Sequence, residues 1–339
     1  MVRWIANAIS LLASAGLVVI DLFVLLHITV NERVEWIAAS NNVAVWVLLA
    51  AIPLLLLILA IPIGRRWRAL LALPALVALL ISQGPLFLPD GAILASEVRF
   101  TVASFNATAQ QDVPEQAPLR AQAMLSTGAD ILGIQEFDFP PRYIPLLEET
   151  YPYYFTPSDL IGTGHDMPYA LFSKYPIDPS EVEVIAERPD RQRPVAARFV
   201  VTIETQPISV YVMHTVKPDI ALIPPWYDAW ERRAGTLDVV ARVGEDDNPV
   251  IVLCDCNMSD QTADYARMAE LLADSWFERG SGFGFTVPAV SFRAPFPFMR
   301  VDYIWHSDGV QTESIHVGQD NGGSDHFPVI AQMSLLSAD

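Results

Sequence analysis

Several polar residues stand where an apolar run ends, a place from which a side chain can do chemistry. Glu136 closes Ile131-Leu-Gly-Ile-Gln-Glu136, Asn106 follows Val98 to Phe105, and His214 follows Val210-Tyr-Val-Met. Asp255 and Asn257, in Leu253-Cys-Asp-Cys-Asn-Met258, are two residues apart, so an extended chain points both to one face. Arg300-Val-Asp302-Tyr303 and Ser324-Asp325-His326 add two carboxylates and an imidazole. Carboxylate and amide oxygens suit a hard divalent cation, or a water together with a phosphate oxygen. Imidazoles supply hydrogen bonds that strengthen as charge builds up in a transition state. Singly, each residue has a plainer reading: a capping carboxylate, an Asx turn, a histidine in the core or on the surface. No Walker-type Gly-Lys loop occurs, so nucleotide-driven transfer is not indicated.

The elements that must position these groups are short β-branched runs alternating with more polar stretches. Strands are predicted over 98–105, 131–135, 169–172, 197–203, 208–214, 250–253, 301–305 and 327–333, and helices over 120–127 and 226–243. Strands mixed with helices and hairpin-like pairs predict an α/β sandwich. The polar residues fall at strand ends, so distant parts of the chain would converge on one rim.

As an ordered set, Asn106, Gln135-Glu136, His214, Asp255-x-Asn257, Arg300-Val-Asp302-Tyr303 and Ser324-Asp325-His326 resemble the endonuclease/exonuclease/phosphatase (DNase I-like) family. Ala129-Asp-Ile-Leu-Gly-Ile-Gln-Glu136 and Leu171-Phe-Ser-Lys-Tyr-Pro176 fit the same pattern, and the resemblance spans about residues 97–335. It implies a four-layer α/β/β/α sandwich and a Mg²⁺- or Mn²⁺-dependent phosphoric ester hydrolase. By the same resemblance Glu136 would bind the metal, with Asn106 and Asp325 assisting. Asp255 would position or deprotonate the attacking water, and Asn257 would orient it. His326 would contact the scissile phosphate with Asp302 fixing its tautomer, and His214 would be a second phosphate ligand. The family pattern has Gly where Cys254 stands, a departure that the small Cys is expected to tolerate.

Ahead of that region lie three apolar runs, Trp4 to Ile28, Val43 to Ile63 and Ala69 to Leu88, each long enough for a hydrocarbon core of ~30 Å. One could be a signal peptide, but three predict a membrane domain over 1–90, followed by the sandwich over 91–339. Arg3 and the Gly64-Arg-Arg-Trp-Arg68 loop lie on the side that the positive-inside rule assigns to the cytoplasm. The sandwich would then be extracytoplasmic, on a multi-pass protein of the cell membrane. Asp21 and His27 lie inside the first run, where a carboxylate is costly, and their six-residue spacing puts them on different helix faces.

Residues 1–90 carry five basic against four acidic side chains, a net of +1, so the remainder, with 16 basic and 35 acidic, carries −19 and the total is −18. Such a domain gains little from a polyphosphate chain, which lowers the expectation of a nucleic-acid partner. Cys254 and Cys256, the only cysteines, are read as buried small hydrophobes poorly placed for a mutual disulfide. The architecture resembles membrane-tethered VanJ-like bacterial members linked to teicoplanin resistance, as do His214-Thr-Val-Lys-Pro218 and Gly282-Phe-Gly-Phe-Thr-Val-Pro288. That resemblance puts a lipid-linked or polyprenyl phosphate first as substrate. An extracytoplasmic nuclease comes next, then a sphingomyelinase- or inositol-phosphate-like activity. The Gly-Phe-Gly-Phe stretch would be an aromatic loop above the site or a surface loop. Trp226, Tyr227 and Trp230 would join it or pack in an amphipathic helix.

Overall fold

A computed structural model describes residues 2–61, 64–88, 91–108, 114–137, 140–156, 169–185, 194–222, 225–289 and 295–336. Pro62, Ile63, Pro89, Asp90, Ile223 and Pro224 lie outside them. The chain falls into two compact units: Met1–Phe87 with Asp219–Asp228 and Ser259–Ala263, and the rest.

The first unit is helical. Its helices are α1 (Val2–Thr29), α2 (Glu35–Asn41), α3 (Ala44–Leu49), α4 (Ala51–Ala60), α5 (Arg65–Ala69) and α6 (Leu73–Gln83). Two continuous helical stretches, Arg3–Thr29 and Arg66–Phe87, are long and apolar enough to cross a membrane, and a third span exists if α2 and the 44–60 helix, bent by 81°, count as one. Ala13, Leu17 and Ile20 of α1 face inward at helical spacing and meet Leu48, Ala51, Ala72 and Ala75. Small residues let helices approach closely where lipid removes the hydrophobic drive for association. The outward face is equally apolar: Leu12, Val19 and Ile81 are 66–73% exposed. Water would penalise such a surface, and hydrocarbon would not. Asp21 and His27 do not pair. Asp21 accepts from the Ala75 backbone N–H, beside Pro74 where a 3₁₀ turn gives way to α6. His27 Nδ1–H donates to Asn41 Oδ1 at 2.9 Å.

Two excursions of the later chain belong to this unit. The hairpin β8 (Asp219–Leu222) and β9 (Pro225–Asp228) brings Tyr227, whose hydroxyl accepts from Asn42 Nδ2 at 3.0 Å. Residues 259–263 are tied by Ser259 Oγ to the Asn41 carbonyl at 2.7 Å and by the Ala263 N–H to Glu32 Oε1 at 2.9 Å.

The second unit holds two six-stranded mixed sheets. Its strands are β1 (Arg99–Asn106), β2 (Ile131–Gln135), β3 (Tyr153–Phe155), β4 (Tyr169–Ser173), β5 (Ile177–Ile185), β6 (Ala196–Ile203), β7 (Gln206–His214), β10 (Val250–Asp255), β11 (Ala273–Asp274), β12 (Asp302–His306), β13 (Val310–Val317) and β14 (Val329–Leu335). One sheet runs β13-β14-β1-β2-β4-β3, the other β11-β12-β10-β7-β6-β5. Alternation along each strand sorts the two faces. Ala103 and Phe105 pack under α7 (Ala117–Ser126) and α8 (Pro140–Leu147). Tyr211, Met213, Val250, Val252, Tyr303 and Trp305 pack with Val239 and Val243 of α9 (Trp230–Val243). The opposite faces meet each other. A Cβ on Gly133 would come within 2.7 Å of Leu253 Cδ1, so only glycine permits that approach. Gln135 Nε2 crosses the gap to the Leu253 carbonyl at 3.1 Å. The result is the four-layer α/β/β/α sandwich that the sequence suggested.

Several expectations need correction. The helix expected from Trp226 begins at Trp230, because 225–228 form β9. Cys254 and Cys256 form a disulfide. Both lie on the helix-facing side, and their Cα atoms are 5.2 Å apart because the chain leaves the extended form at Cys256. Cys254 sits mid-strand without a left-handed backbone, so the family's glycine is not required there.

Candidate active site

The same alternation aims the functional side chains. In the second sheet Asp255 of β10 is in register with His214 of β7 on one side and Asp302 of β12 on the other. All three lie on the face turned away from the helix layer, so one row across three strands carries His, Asp and Asp. In the first sheet Asn106 of β1 pairs in register with Gln135 of β2. The next residue, Glu136, would point to the helix side if the strand continued. Its backbone turns left-handed instead, φ 52°, and swings the carboxylate back over the rim. Asn257 is also left-handed, φ 44°. Strained positions of this kind persist where surrounding bonds impose them. The Asn257 carbonyl accepts from Arg232 Nη1 at 3.1 Å, and its Nδ2 donates to the Thr215 carbonyl at 2.9 Å. Arg232 is itself fully buried and fixed by Asp264 at 2.8 Å.

Glu136, His214, Asp255, Asn257, Asp325 and His326 line one cavity of about 350 Å³, with Thr108, Tyr169, Thr215 and Lys217 among the remaining walls. His214 Nε2 is 3.4 Å from Asp255 Oδ2 and 3.6 Å from Glu136 Oε1. His326 Nδ1–H donates to both Asp302 oxygens, at 2.9 and 3.0 Å, which leaves Nε2 toward Asp255 Oδ2 at 3.8 Å and Asp325 Oδ1 at 3.9 Å. Burial alone would lower the His326 pKa; Asp302, Asp255 and Asp325 override it and push the ring up to about 10. Burial raises Glu136 above the usual carboxylate range, against the pull of His214 and the Asn106 hydrogen bond. Ser324 anchors the C-terminal motif: its Oγ donates to the Asn106 carbonyl at 2.7 Å and accepts from the His326 N–H at 3.1 Å.

The donor set fits a hard divalent cation. Asp325 Oδ1 is buried with no hydrogen-bond partner among the described residues, and it lines the cavity with Glu136. An orphaned carboxylate oxygen in a cavity that a second carboxylate also lines is what a cation would satisfy. Asp255, Asp302 and His326 also converge within 4.8 Å, but both Asp302 oxygens are already engaged by the imidazole. Asn106 enters differently from the expected ligand. Its Oδ1 accepts from the Thr108 N–H at 2.9 Å, which turns Nδ2 onto Asp255 Oδ2 at 2.8 Å and toward Glu136 Oε1 at 3.4 Å. In this arrangement Asn106 orients two carboxylates, and its Oδ1 keeps a second lone pair.

Sequence reasoning assigns no role to Arg232, Thr215, Tyr169 or Lys217, although Thr215 and Lys217 fall within His214-Thr-Val-Lys-Pro218. Tyr169 donates to the Pro194 carbonyl, just ahead of β6, at 2.7 Å and to the His214 carbonyl at the end of β7 at 3.3 Å. These residues act through backbone carbonyls or line walls, and no spacing announces that. The Gly-Phe-Gly-Phe loop does not line the cavity. Phe283 and Phe285 stack on each other, Gly284 lies where a Cβ would be 2.5 Å from the Trp276 indole, and Thr286 hydrogen-bonds Asp302. The loop braces the His326–Asp302 pair.

Residues 103–326 match the Endonuclease/Exonuclease/phosphatase family. An endonuclease/exonuclease/phosphatase family protein from Bacteroides thetaiotaomicron is 19% identical with a TM-score of 0.54, over 70% of this chain and 98% of its own. A mannosyl-6-phosphatase from the same organism is 18% identical with a TM-score of 0.53, over 70% and 100%. TDP2 from C. elegans is 18% identical with a TM-score of 0.54, over 70% and 76%. At these identities the likeness concerns the fold. No curated protein matches the chain.

Proposed function

Because the chain belongs to the endonuclease/exonuclease/phosphatase family, whose members are phosphoester hydrolases, we propose that it is a membrane-anchored, Mg²⁺- or Mn²⁺-dependent hydrolase of a lipid-linked phosphoester or pyrophosphate, a polyprenyl phosphate above all. The observation that carries the chemistry is the convergence of Glu136, His214, Asp255, Asn257, Asp325 and His326 on one cavity. Glu136 and Asp325 would hold the cation, which when bound would supply charge neutralisation at the phosphoryl oxygens. Asp255 accepts the proton of the attacking water, and its oxygens are aimed by Asn106 Nδ2 and the Asn257 N–H. Asn257 has spent its Nδ2 on Thr215, so its Oδ1 is the atom that orients that water. His326, kept protonated and locked to Asp302, donates from Nε2 to a phosphoryl oxygen. His214 donates to a second, and Lys217 on the cavity wall adds a positive charge that a pyrophosphate would use.

The lipid substrate is supported by the apolar outward face of the helical unit. A tethered site meets membrane phosphates at high effective concentration. The acidity of the chain after residue 90 weighs against nucleic acid. Arg3, Arg66 and Arg68 support an extracytoplasmic catalytic unit, and the Cys254–Cys256 disulfide agrees, since disulfides persist in oxidising compartments.

Purified full-length protein with Mg²⁺ should release phosphate from undecaprenyl pyrophosphate, and His326→Ala should abolish the release. Preferred cleavage of plasmid DNA would replace the lipid by a nucleic-acid substrate. Equal release by wild type and variant would end the mechanism.

A further inference from the structure

Cys254 and Cys256 flank Asp255, and Asn257 follows directly, yet neither sulfur touches the reaction. Alternation aims the Asp255 carboxylate into the site and turns both cysteines to the opposite, helix-facing side, where they are fully buried and joined. The crosslink thus closes a three-residue loop whose middle residue is the base. Cys254 is the fixed end of that loop, because it pairs with Met213 of β7 on one side and Tyr303 of β12 on the other. Cys256 lies past the end of β10 and is the end that the bond draws in. Two residues of extended chain hold Cα atoms ~6.7 Å apart, whereas here the separation is 5.2 Å, so the segment is drawn in by about 1.5 Å.

Asn257 then takes up its left-handed backbone, a conformation that a non-glycine residue keeps only where its surroundings impose it. Hydrogen bonds share in imposing it. The Cys256 N–H donates to the Val301 carbonyl at 2.9 Å and the Asn257 N–H to Asp255 Oδ1 at 3.2 Å. Asn257 Nδ2 donates to the Thr215 carbonyl at 2.9 Å, and its own carbonyl accepts from Arg232 Nη1 at 3.1 Å. Each of these can open singly; the disulfide is the covalent restraint among them. We propose that the Cys254–Cys256 disulfide is a positioning crosslink for Asp255 and Asn257, so that hydrolysis is full when the pair is oxidised and falls when it is reduced. The inference rests on phosphoester hydrolysis at this site. Reduction by a dithiol breaks the S–S bond and forms two cysteine S–H groups, while the dithiol gives up two protons and two electrons and closes its own disulfide. The released segment lengthens and carries the Asn257 side chain with it. A misplacement of about 1 Å costs on the order of 10²-fold in rate, and the hydrogen bonds that remain hold part of the position, so about tenfold is expected. Disulfides persist in oxidising compartments, so the site is complete there and slack in a reducing one.

The test uses the full-length protein with Mg²⁺ and undecaprenyl pyrophosphate. Dithiothreitol should release two thiols per chain and lower kcat about tenfold, with KM changed less than about twofold. Exchange into glutathione disulfide should restore kcat as the thiols disappear. The double variant Cys254→Ser, Cys256→Ser should melt cooperatively, start at the low kcat and respond to neither reagent. The Mg²⁺ concentration at half-saturation should stay the same throughout, since Glu136 and Asp325 lie on other segments; a general loss of structure would move it. Two released thiols with kcat unchanged, or a folded double variant with wild-type kcat, would overturn the crosslink's role and leave phosphoester hydrolysis intact. Free thiols in the untreated protein would overturn it as well. No phosphate release by the oxidised wild type would overturn the phosphoesterase reading, and the crosslink's role with it.

Discussion

Two histidine–carboxylate pairs stand at the two ends of strand 302–306. At one end His326 is locked to Asp302; at the other His306 Nε2 meets Glu278 Oε2 at 2.8 Å, beside a cavity of about 480 Å³. Pair geometry and cavity size therefore do not distinguish them. What differs is the company. The His326 pair has Asp255, Asp325 and Glu136 around it, an orphaned carboxylate oxygen, and a ring held protonated by three carboxylates. At the other end Glu278 is held below its usual range; burial would raise it, and hydrogen bonds from His306 and Thr312 overcome that. Its charge is already satisfied. A site is marked by unsettled polar groups, and a structural pair by settled ones.

The largest effect expected from this contrast is on turnover. Glu136→Ala or Asp255→Asn should lower kcat by about 10³-fold or more, since each removes charge stabilisation or the base. Glu278→Gln should leave kcat within about twofold, because it lies outside the reaction. Steady-state phosphate release on the three variants checks both halves.

The next is a pH effect. His326 is pushed up to about 10, mainly by Asp302 among the carboxylates, so its protonated form persists across neutral pH. Asp302→Asn removes that support and lowers the ring's pKa. The alkaline limb of the kcat profile should then move to lower pH. An unmoved limb would show that His326 does not act as a cation.

A settled carboxylate elsewhere should affect stability alone. Asp246 is buried; burial would raise it, but hydrogen bonds from Arg198, Tyr211 and Ser209 hold it down at about 2. A depressed carboxylate contributes stability above its unfolded pKa of ~3.9 and loses it as pH falls through the folded value, so melting should weaken between about pH 4 and 2. Asp246→Asn should cost about 3 kcal/mol and roughly 10 °C in Tm, with site residues unaltered. The smallest effect is chemical: Cys254 and Cys256 should resist alkylation until a reductant is added.

Much of this was legible beforehand for a physical reason. Strands 99–106, 131–135 and 250–255 are runs of buried apolar residues ending in a polar one, so both the strand and the residue it delivers could be read. Strand 310–317, Val-Gln-Thr-Glu-Ser-Ile-His-Val, was missed because its polar residues hide any apolar run. Hairpin 219–228 was missed because Trp226 and Tyr227 continue a helical spacing into Trp230. At the site, residue types were legible and orientations were not. The turn of Asn106 depends on the Thr108 N–H, and the reach of Glu136 depends on a left-handed backbone. The cysteine pair is not legible because two residues of ideal strand hold Cα atoms ~6.7 Å apart, the long end of the disulfide range, whereas strand 250–255 ends before Cys256 and the separation is 5.2 Å.

The most direct test is phosphate release by the full-length protein titrated with Mg²⁺ after EDTA treatment, wild type beside Glu136→Gln. The account predicts that wild type is silent without metal and recovers with Mg²⁺, while Glu136→Gln needs far more Mg²⁺ or stays silent. Undiminished turnover in EDTA, or superimposable Mg²⁺ curves for the two proteins, would contradict it.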